Sequence, residues 1–230
     1  MKPSIPNSYY SLMIKRAKGF LPEMEHARHT ARILSPLIRN RYKLLDTGCC
    51  SGHLYRSFEK KMSYIEYYGL DSDRRFINKG KSIFKNYQNV HFERGDINKI
   101  PFKKNSFDIV LALNYLQNLP EIKSPLQNLI KVAKRFILLR LLIYEKGYLI
   151  QELDQLDKPS YYLNIYTPRQ IKKIFKTFNK KSTVRFIDDY FIPKNIDKKY
   201  GDINKTKIIG GKQVSGSIIL PWKFVLIKIL

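Results

Sequence analysis

The sequence predicts an α/β domain: a mostly parallel sheet of seven strands, helices on both faces, and an antiparallel pair closing the C-terminal edge. Three observations carry this. Short apolar runs alternate with segments of helical periodicity from residue 41 onward. The run Phe107–Leu113 is apolar almost throughout, as expected of a parallel strand covered on both faces. The stretch Leu44-Leu45-Asp46-Thr47-Gly48-Cys49-Cys50-Ser51-Gly52-His53-Leu54 reads as a buried strand, a glycine-bracketed loop and the start of a helix. That geometry brings backbone N–H groups against an anionic or nucleoside-bearing ligand.

In chain order, helices are expected over residues 8–18 and 22–38, followed by a strand over 41–46. A helix over 53–61 sets Leu54, Tyr55 and Phe58 on one side, and a second strand covers 65–70. The helix over 74–85 places Phe76, Ile77, Gly80 and Ile83 at i, i+1, i+4 and i+7. Strands follow over 90–94 and 107–113. The next helix opens with Ser124 as N-cap, Pro125 at N1 and Gln127 at N3, a capping box. A fifth strand over 136–142 is apolar except for Arg140, which interrupts it. The capping signal recurs at Thr167-Pro168-Arg169-Gln170, and Ile171, Ile174, Phe175 and Phe178 form that helix's apolar stripe. Two last strands, over 183–191 and 223–229, have no strong helix between them and suit a hairpin at the sheet edge. The polar residues 193–217, with Gly201, Gly210, Gly211 and Gly216, read as a surface excursion.

At 230 residues the chain suits one domain. Residues 1–40 form a helical cap, 41–142 a ligand-binding core, and 143–230 a substrate-side lid with the closing hairpin. No apolar run approaches the ~20 residues of a membrane span, and the N-terminus lacks the apolar core of a signal peptide. The two cysteines are adjacent, so they cannot staple distant segments, and they lack the spacing of a zinc site. No metal is expected, and a reducing, cytoplasmic setting is. The formal charge of +24 would attract polyanions or phosphorylated substrates. It is spread along the whole chain beside abundant Ile, Asn and Tyr, which favours a compositional bias over a polyanion surface.

The loop has G-x-x-x-G rather than G-x-G-x-x-G, which weakens a dinucleotide reading, and the P-loop pattern is absent. LLDTGCCSG resembles the first motif of class I S-adenosylmethionine-dependent methyltransferases, of the type 11/25-like kind. Asp71, in YYGLDSD, follows 25 residues after Asp46, and Asp96, in FERGDI, another 25 on. NSFDIVLALNYLQNL is similar to the family's fourth-strand segment. The resemblance covers about residues 41–142, with Cys50 where the family loop has its middle glycine. It implies a Rossmann-like fold and S-adenosylmethionine as cofactor, with S-adenosylhomocysteine as product. By position, Asp46, Gly48, Cys49, Cys50 and Gly52 shape the methionine pocket. Asp71, with Ser72, serves the ribose hydroxyls, Asp96 and Ile97 the adenine edge, and Leu113 and Asn114 border the methionine end.

Methyl displacement needs in-line approach more than covalent help. A hydroxyl acceptor also calls for a general base. His53, His26 and His29 are the candidates, each weighed against a plain structural role. The family's common histidine position holds Asn118 here, and His91 reads as structural. Both cysteines read as structural, with no basic partner beside them. Tyr144, Tyr148, Tyr161, Tyr162 and Tyr166 suit either an acceptor pocket or a packed lid. YYLNIYTPRQI resembles a phrase of surface-glycan methyltransferases, which favours a sugar or sugar-nucleotide hydroxyl, an anionic or glycan-related small molecule. The alternatives are an RNA methyltransferase, motivated by charge, and a cofactor-binding relative without activity. An N-P-P-Y type sequence is absent after the fourth strand, which counts against the RNA reading.

Overall fold

The computed structural model describes residues 6–59, 61–62, 64–153, 159–178, 180–190, 206–209, 212–215 and 218–230. Two helices, α1 (Asn7–Ala17) and α2 (Glu25–Leu34), precede the alternating part. There follow β1 (Lys43–Thr47), α3 (His53–Phe58), β2 (Glu66–Asp71), α4 (Arg74–Ile83), β3 (Val90–Arg94) and β4 (Phe107–Leu113). Then come α5 (Lys123–Val132), β5 (Ala133–Leu142), β6 (Tyr148–Leu153), β7 (Pro159–Ile165), α6 (Pro168–Lys176) and β8 (Ser182–Asp188). The chain closes with β9 (Thr206–Ile209), β10 (Lys212–Ser215), β11 (Ile218–Ile219) and β12 (Trp222–Ile229).

Seven strands form one sheet in the order β3-β2-β1-β4-β5-β12-β8. The first five are parallel, and β12 runs antiparallel to both β5 and β8. The expected antiparallel closure is therefore present, with the last strand inserted inside the edge strand β8. Strand order reverses between β1 and β4, so their carboxyl ends diverge and leave a crevice there.

Alternation along the strands divides the core between two faces. Leu44, Ile109, Leu111, Leu138 and Phe224 pack with Ala31, Leu34, Leu54 and Phe58 from α2 and α3. Leu45, Val110, Ala112, Ile137, Leu139 and Val225 pack with Leu126 and Leu129 of α5 and with Ile171 and Phe175 of α6. A sheet buried on both sides accounts for the continuous apolar runs.

Several local expectations change. Ser124 is not the cap of α5. The helix begins at Lys123, and the Glu121 carboxylate accepts from the Lys123 (2.7 Å) and Ser124 (3.2 Å) backbone N–H groups. A carboxylate at a helix start competes well for those donors because it is charged. The second box does form: Thr167 Oγ1 accepts from Gln170 N, and Gln170 Oε1 from Thr167 N. Helix α2 ends at Leu34 rather than 38: Ser35 keeps helical angles, but Pro36 has no backbone N–H to continue the ladder. Within the expected lid, β6 and β7 form an antiparallel hairpin. Of the expected excursion, 193–205, 210–211 and 216–217 lie outside the described residues, and β9, β10 and β11 form a small antiparallel sheet. At the far end of α5, Lys180 Nζ donates to the carbonyls of Ile130 (2.8 Å) and Ala133 (2.6 Å) and to Asn105 Oδ1 (2.6 Å), meeting the unpaired carbonyls of a helix C-terminus.

Candidate active site

The loop after β1 is tied to the end of β2. Gly48 N and Cys49 N both donate to Leu70 O, at 2.8 and 3.2 Å, and Cys50 N donates to Asp71 Oδ2 at 2.9 Å. Gly48, Cys50 and Gly52 have φ of 71°, 49° and 84°, all left-handed. Glycine suits the two ends, where the mirror-like backbone also leaves no room for a Cβ: one on Gly48 would lie 2.8 Å from Tyr115 Cδ1. Cysteine occupies the middle position at a conformation that ordinarily favours glycine, its side chain packed with Met13 and Phe76.

Beyond this loop, at the carboxyl ends of β1, β2 and β4, lies a cavity of about 310 Å³. Of the residues singled out from sequence, Asp46, Gly48, Cys50, His53, Asp71, Ser72, Asp96, Ile97, Leu113, Asn114 and His26 line it. Cys49, Gly52 and His29 do not. Cys49 is buried behind the loop with its thiol toward Cys50 O (3.3 Å), and Gly52 starts α3 against Phe92. Burial pushes both thiols above their ordinary pKa, so neither is a ready nucleophile.

Three carboxyl groups mark the cavity's floor and rim. Asp46 Oδ2 accepts from the Tyr67 hydroxyl at 2.6 Å, and burial raises its pKa to about 7 against the opposing effect of that bond. Asp71 accepts from Asp73 N on Oδ1 and from Cys50 N on Oδ2, both at 2.9 Å; burial raises its pKa while the two amides hold it down. N-capping of α4 falls to Asp73, whose Oδ1 accepts from Arg75 N, so Asp71 is spared that duty. Asp96 accepts from Asn98 N at 2.9 Å.

The histidines separate. His26 and His53 border the cavity, and loss of water lowers both pKa values, His53 to about 4 and His26 well below the imidazole range, with Arg16 and Arg140 respectively adding to the effect. Both rings are neutral at pH 7. His29 instead meets Asp189 Oδ1 through Nδ1 at 3.1 Å and packs edge-on against Phe224. His91 stands on β3 beside Glu66, at 3.5 Å.

Sequence reasoning missed Tyr9, Met13, Met24, Thr47 and Tyr115, which also line the cavity. The Thr47 hydroxyl donates to Leu111 O at 2.6 Å, so Tyr115 donates to Thr47 Oγ1 at 2.7 Å and lies against Gly48. Of the clustered tyrosines of the lid, Tyr144, Tyr162 and Tyr166 are not in its lining, and the side chains of Tyr148 and Tyr161 lie outside the described ones. Arg140 and Asp189 were also missed, although a charge inside an apolar strand was a visible signal.

The sheet order, the left-handed loop and the acids at successive strand ends define a class. Residues 38–184 match the methyltransferase domain family, and the chain belongs to that family. The demethylmenaquinone methyltransferase of Staphylococcus saprophyticus is 27% identical over 121 residues, 52% of this chain and 52% of that protein. The chain thus spans about half the length of the curated relatives it matches. Among solved structures, an S-adenosylmethionine-dependent methyltransferase from Methanosarcina mazei superposes with a TM-score of 0.59 at 12% identity, covering 86% of this chain and 96% of that one. The magnesium protoporphyrin IX methyltransferase of Synechocystis, solved with bound S-adenosylmethionine, gives 0.56 at 14% identity over 89% and 79%. At these identities the superpositions show a shared fold. Among the described residues, no helix is long and apolar enough to cross a membrane.

Proposed function

We propose that the chain binds S-adenosylmethionine in this cavity and transfers its methyl group to a small-molecule acceptor. The observation that carries the reading is the convergence of the β1 loop, Asp71, Asp96 and Asn114 on one crevice at the point of strand reversal. The donor set suits the cofactor. Asp71 keeps acceptor capacity on both oxygens for ribose hydroxyls after its two backbone bonds. Among the described residues the lining holds three carboxyl groups and no Lys or Arg, which suits a cationic sulfonium and ammonium. When bound, the cofactor supplies an electrophilic methyl on a sulfonium. Asp46 and the Gly48–Cys50 backbone hold the methionine end, Asp96 and Ile97 flank the adenine, and Tyr9, Met13 and Met24 exclude water. In this reading residues 1–40 act as a cap, 41–142 hold the cofactor and 143–230 border the acceptor.

The acceptor in this reading is a small molecule. The Staphylococcus relatives are named for demethylmenaquinone, itself a small molecule. The phrase YYLNIYTPRQI supports a sugar or sugar-nucleotide hydroxyl. Calorimetry with S-adenosylhomocysteine tests the cofactor site. Wild type should bind, and Asp71→Ala should weaken binding by roughly 10- to 100-fold, the worth of a pair of hydrogen bonds to a charged group. Absence of wild-type binding would overturn the cavity assignment, and unchanged affinity in the variant would overturn the ribose role.

A further inference from the structure

A buried polar chain runs beneath the cavity wall. Arg140 donates through Nε to Asp189 Oδ2 at 3.0 Å, and its Nη2 contacts the same oxygen. The Arg140 and Asp189 side chains are 8% and 3% exposed. The Trp222 ring covers the guanidinium at 4.1 Å. Arg140 Nη1 then donates to Asn114 Oδ1 at 2.5 Å, and Asn114 Nδ2 stands 2.9 Å from His26 Nε2.

Hydrogen-bonding capacity fixes the sense of this chain. A guanidinium has donors only, so the oxygen of the Asn114 amide faces Arg140 and its NH2 faces His26. An amide NH2 can only donate, so His26 Nε2 accepts and carries no proton. The ring is neutral, which places its one proton on Nδ1. That nitrogen has no partner among the described residues, and the ring borders the cavity. Asn114 sits at φ 67°, directly after β4, a conformation Asn tolerates better than most residues.

We propose that the Asp189–Arg140–Asn114 chain is a positioning device that locks His26 as the Nδ1–H tautomer, making it a hydrogen-bond donor at the cavity wall rather than a general base. An acceptor oxygen approaching His26 meets a proton, not a lone pair, so the chain favours acceptors that present an anionic or carbonyl oxygen there. The tautomer stands on geometry alone. Its part in methyl transfer rests on the cavity being the transfer site.

Long-range proton–nitrogen correlation spectra of the full chain with 15N-labelled histidine test it without any cofactor. His26, one of four histidines, is assigned by its loss in His26→Gln. Wild type should show His26 Nε2 in the unprotonated range and Nδ1 in the protonated range. Asn114→Asp replaces the donor by a carboxylate, which only accepts, and should move the proton to Nε2. Asn114→Ala, which removes the donor without adding charge, should release the ring toward the Nε2–H form favoured by free imidazole. Arg140→Met should mix the tautomers by freeing the amide to turn. A protonated Nε2 in wild type would overturn the proposal, as would a pattern unchanged in Asn114→Asp and Asn114→Ala alike. Calorimetry with S-adenosylhomocysteine on the wild-type sample separates the two readings: no binding with the tautomer intact overturns the transfer site and leaves the positioning chain standing.

Discussion

The Tyr67 hydroxyl donates to Asp46 Oδ2 across 2.6 Å, and both residues are almost fully closed to water. The carboxyl at the head of the β1 loop is therefore held by one phenol in a low-dielectric setting, where a proton competes well for it.

Stability should fall as pH rises through this group. Its pKa is about 7 in the folded protein against 3.8 for a free carboxyl, so between those values the native state binds more protons than the unfolded one. The free energy of unfolding then decreases with pH across that window and levels off above it. Asp46→Asn, which cannot ionise, should flatten this component. Denaturant melts at stepped pH from 4 to 8 would check it. Parallel losses in wild type and variant would show that burial of Asp46 is not their source. Tyr67→Phe should move the wild-type window upward, since the phenol favours the ionised form.

Two substitutions in the loop should have unequal effects. An alanine at Gly52 would place its Cβ 2.6 Å from Phe92 Cζ at a φ of 84°, and should cost about 1–3 kcal/mol in chemical denaturation through strain and overpacking together. Cys50→Gly relieves a left-handed cysteine while removing a buried thiol from the contact with Met13 and Phe76. These offset, so its change should stay within about 1 kcal/mol. A larger loss would mean that packing dominates at Cys50.

Lys180→Met keeps an apolar stem and removes the ammonium that closes the end of α5. Two carbonyls and an amide oxygen lose their donor, and stability should fall by about 1–2 kcal/mol in urea melts. Burial, with Lys104 nearby, lowers the Lys180 pKa, so the folded protein releases this proton before the unfolded chain does, and this group's contribution to stability should rise with pH across that alkaline window.

The strands were legible because their signals are local. Leu44-Leu45 and Phe107–Leu113 carry their burial in their own composition, and Asp46, Asp71 and Asp96 fall at strand ends by spacing alone. Ser124 and Thr167 show the limit. Both open the same short pattern, yet only Thr167 caps, because α5 has already begun at Lys123, with Glu121 holding its first backbone N–H groups, and Ser124 lies inside the helix. Tyr9 and Met24 were not legible as site residues, since nothing in α1 or the following turn says which strand end it will cover. The pairing of Arg140 with Asp189, 49 positions apart, is likewise a product of β12 slipping between β5 and β8. His26 and His29 share a helix face in sequence but serve different partners, Asn114 and Asp189.

Trp222 is the only tryptophan in the chain, and it lies on the Arg140 guanidinium, within the polar chain under the cavity. Indole emission from the native protein therefore originates at a single place, next to the residues that orient His26. The molecule carries an intrinsic optical probe of that corner, readable without a label, an assay or an identified acceptor.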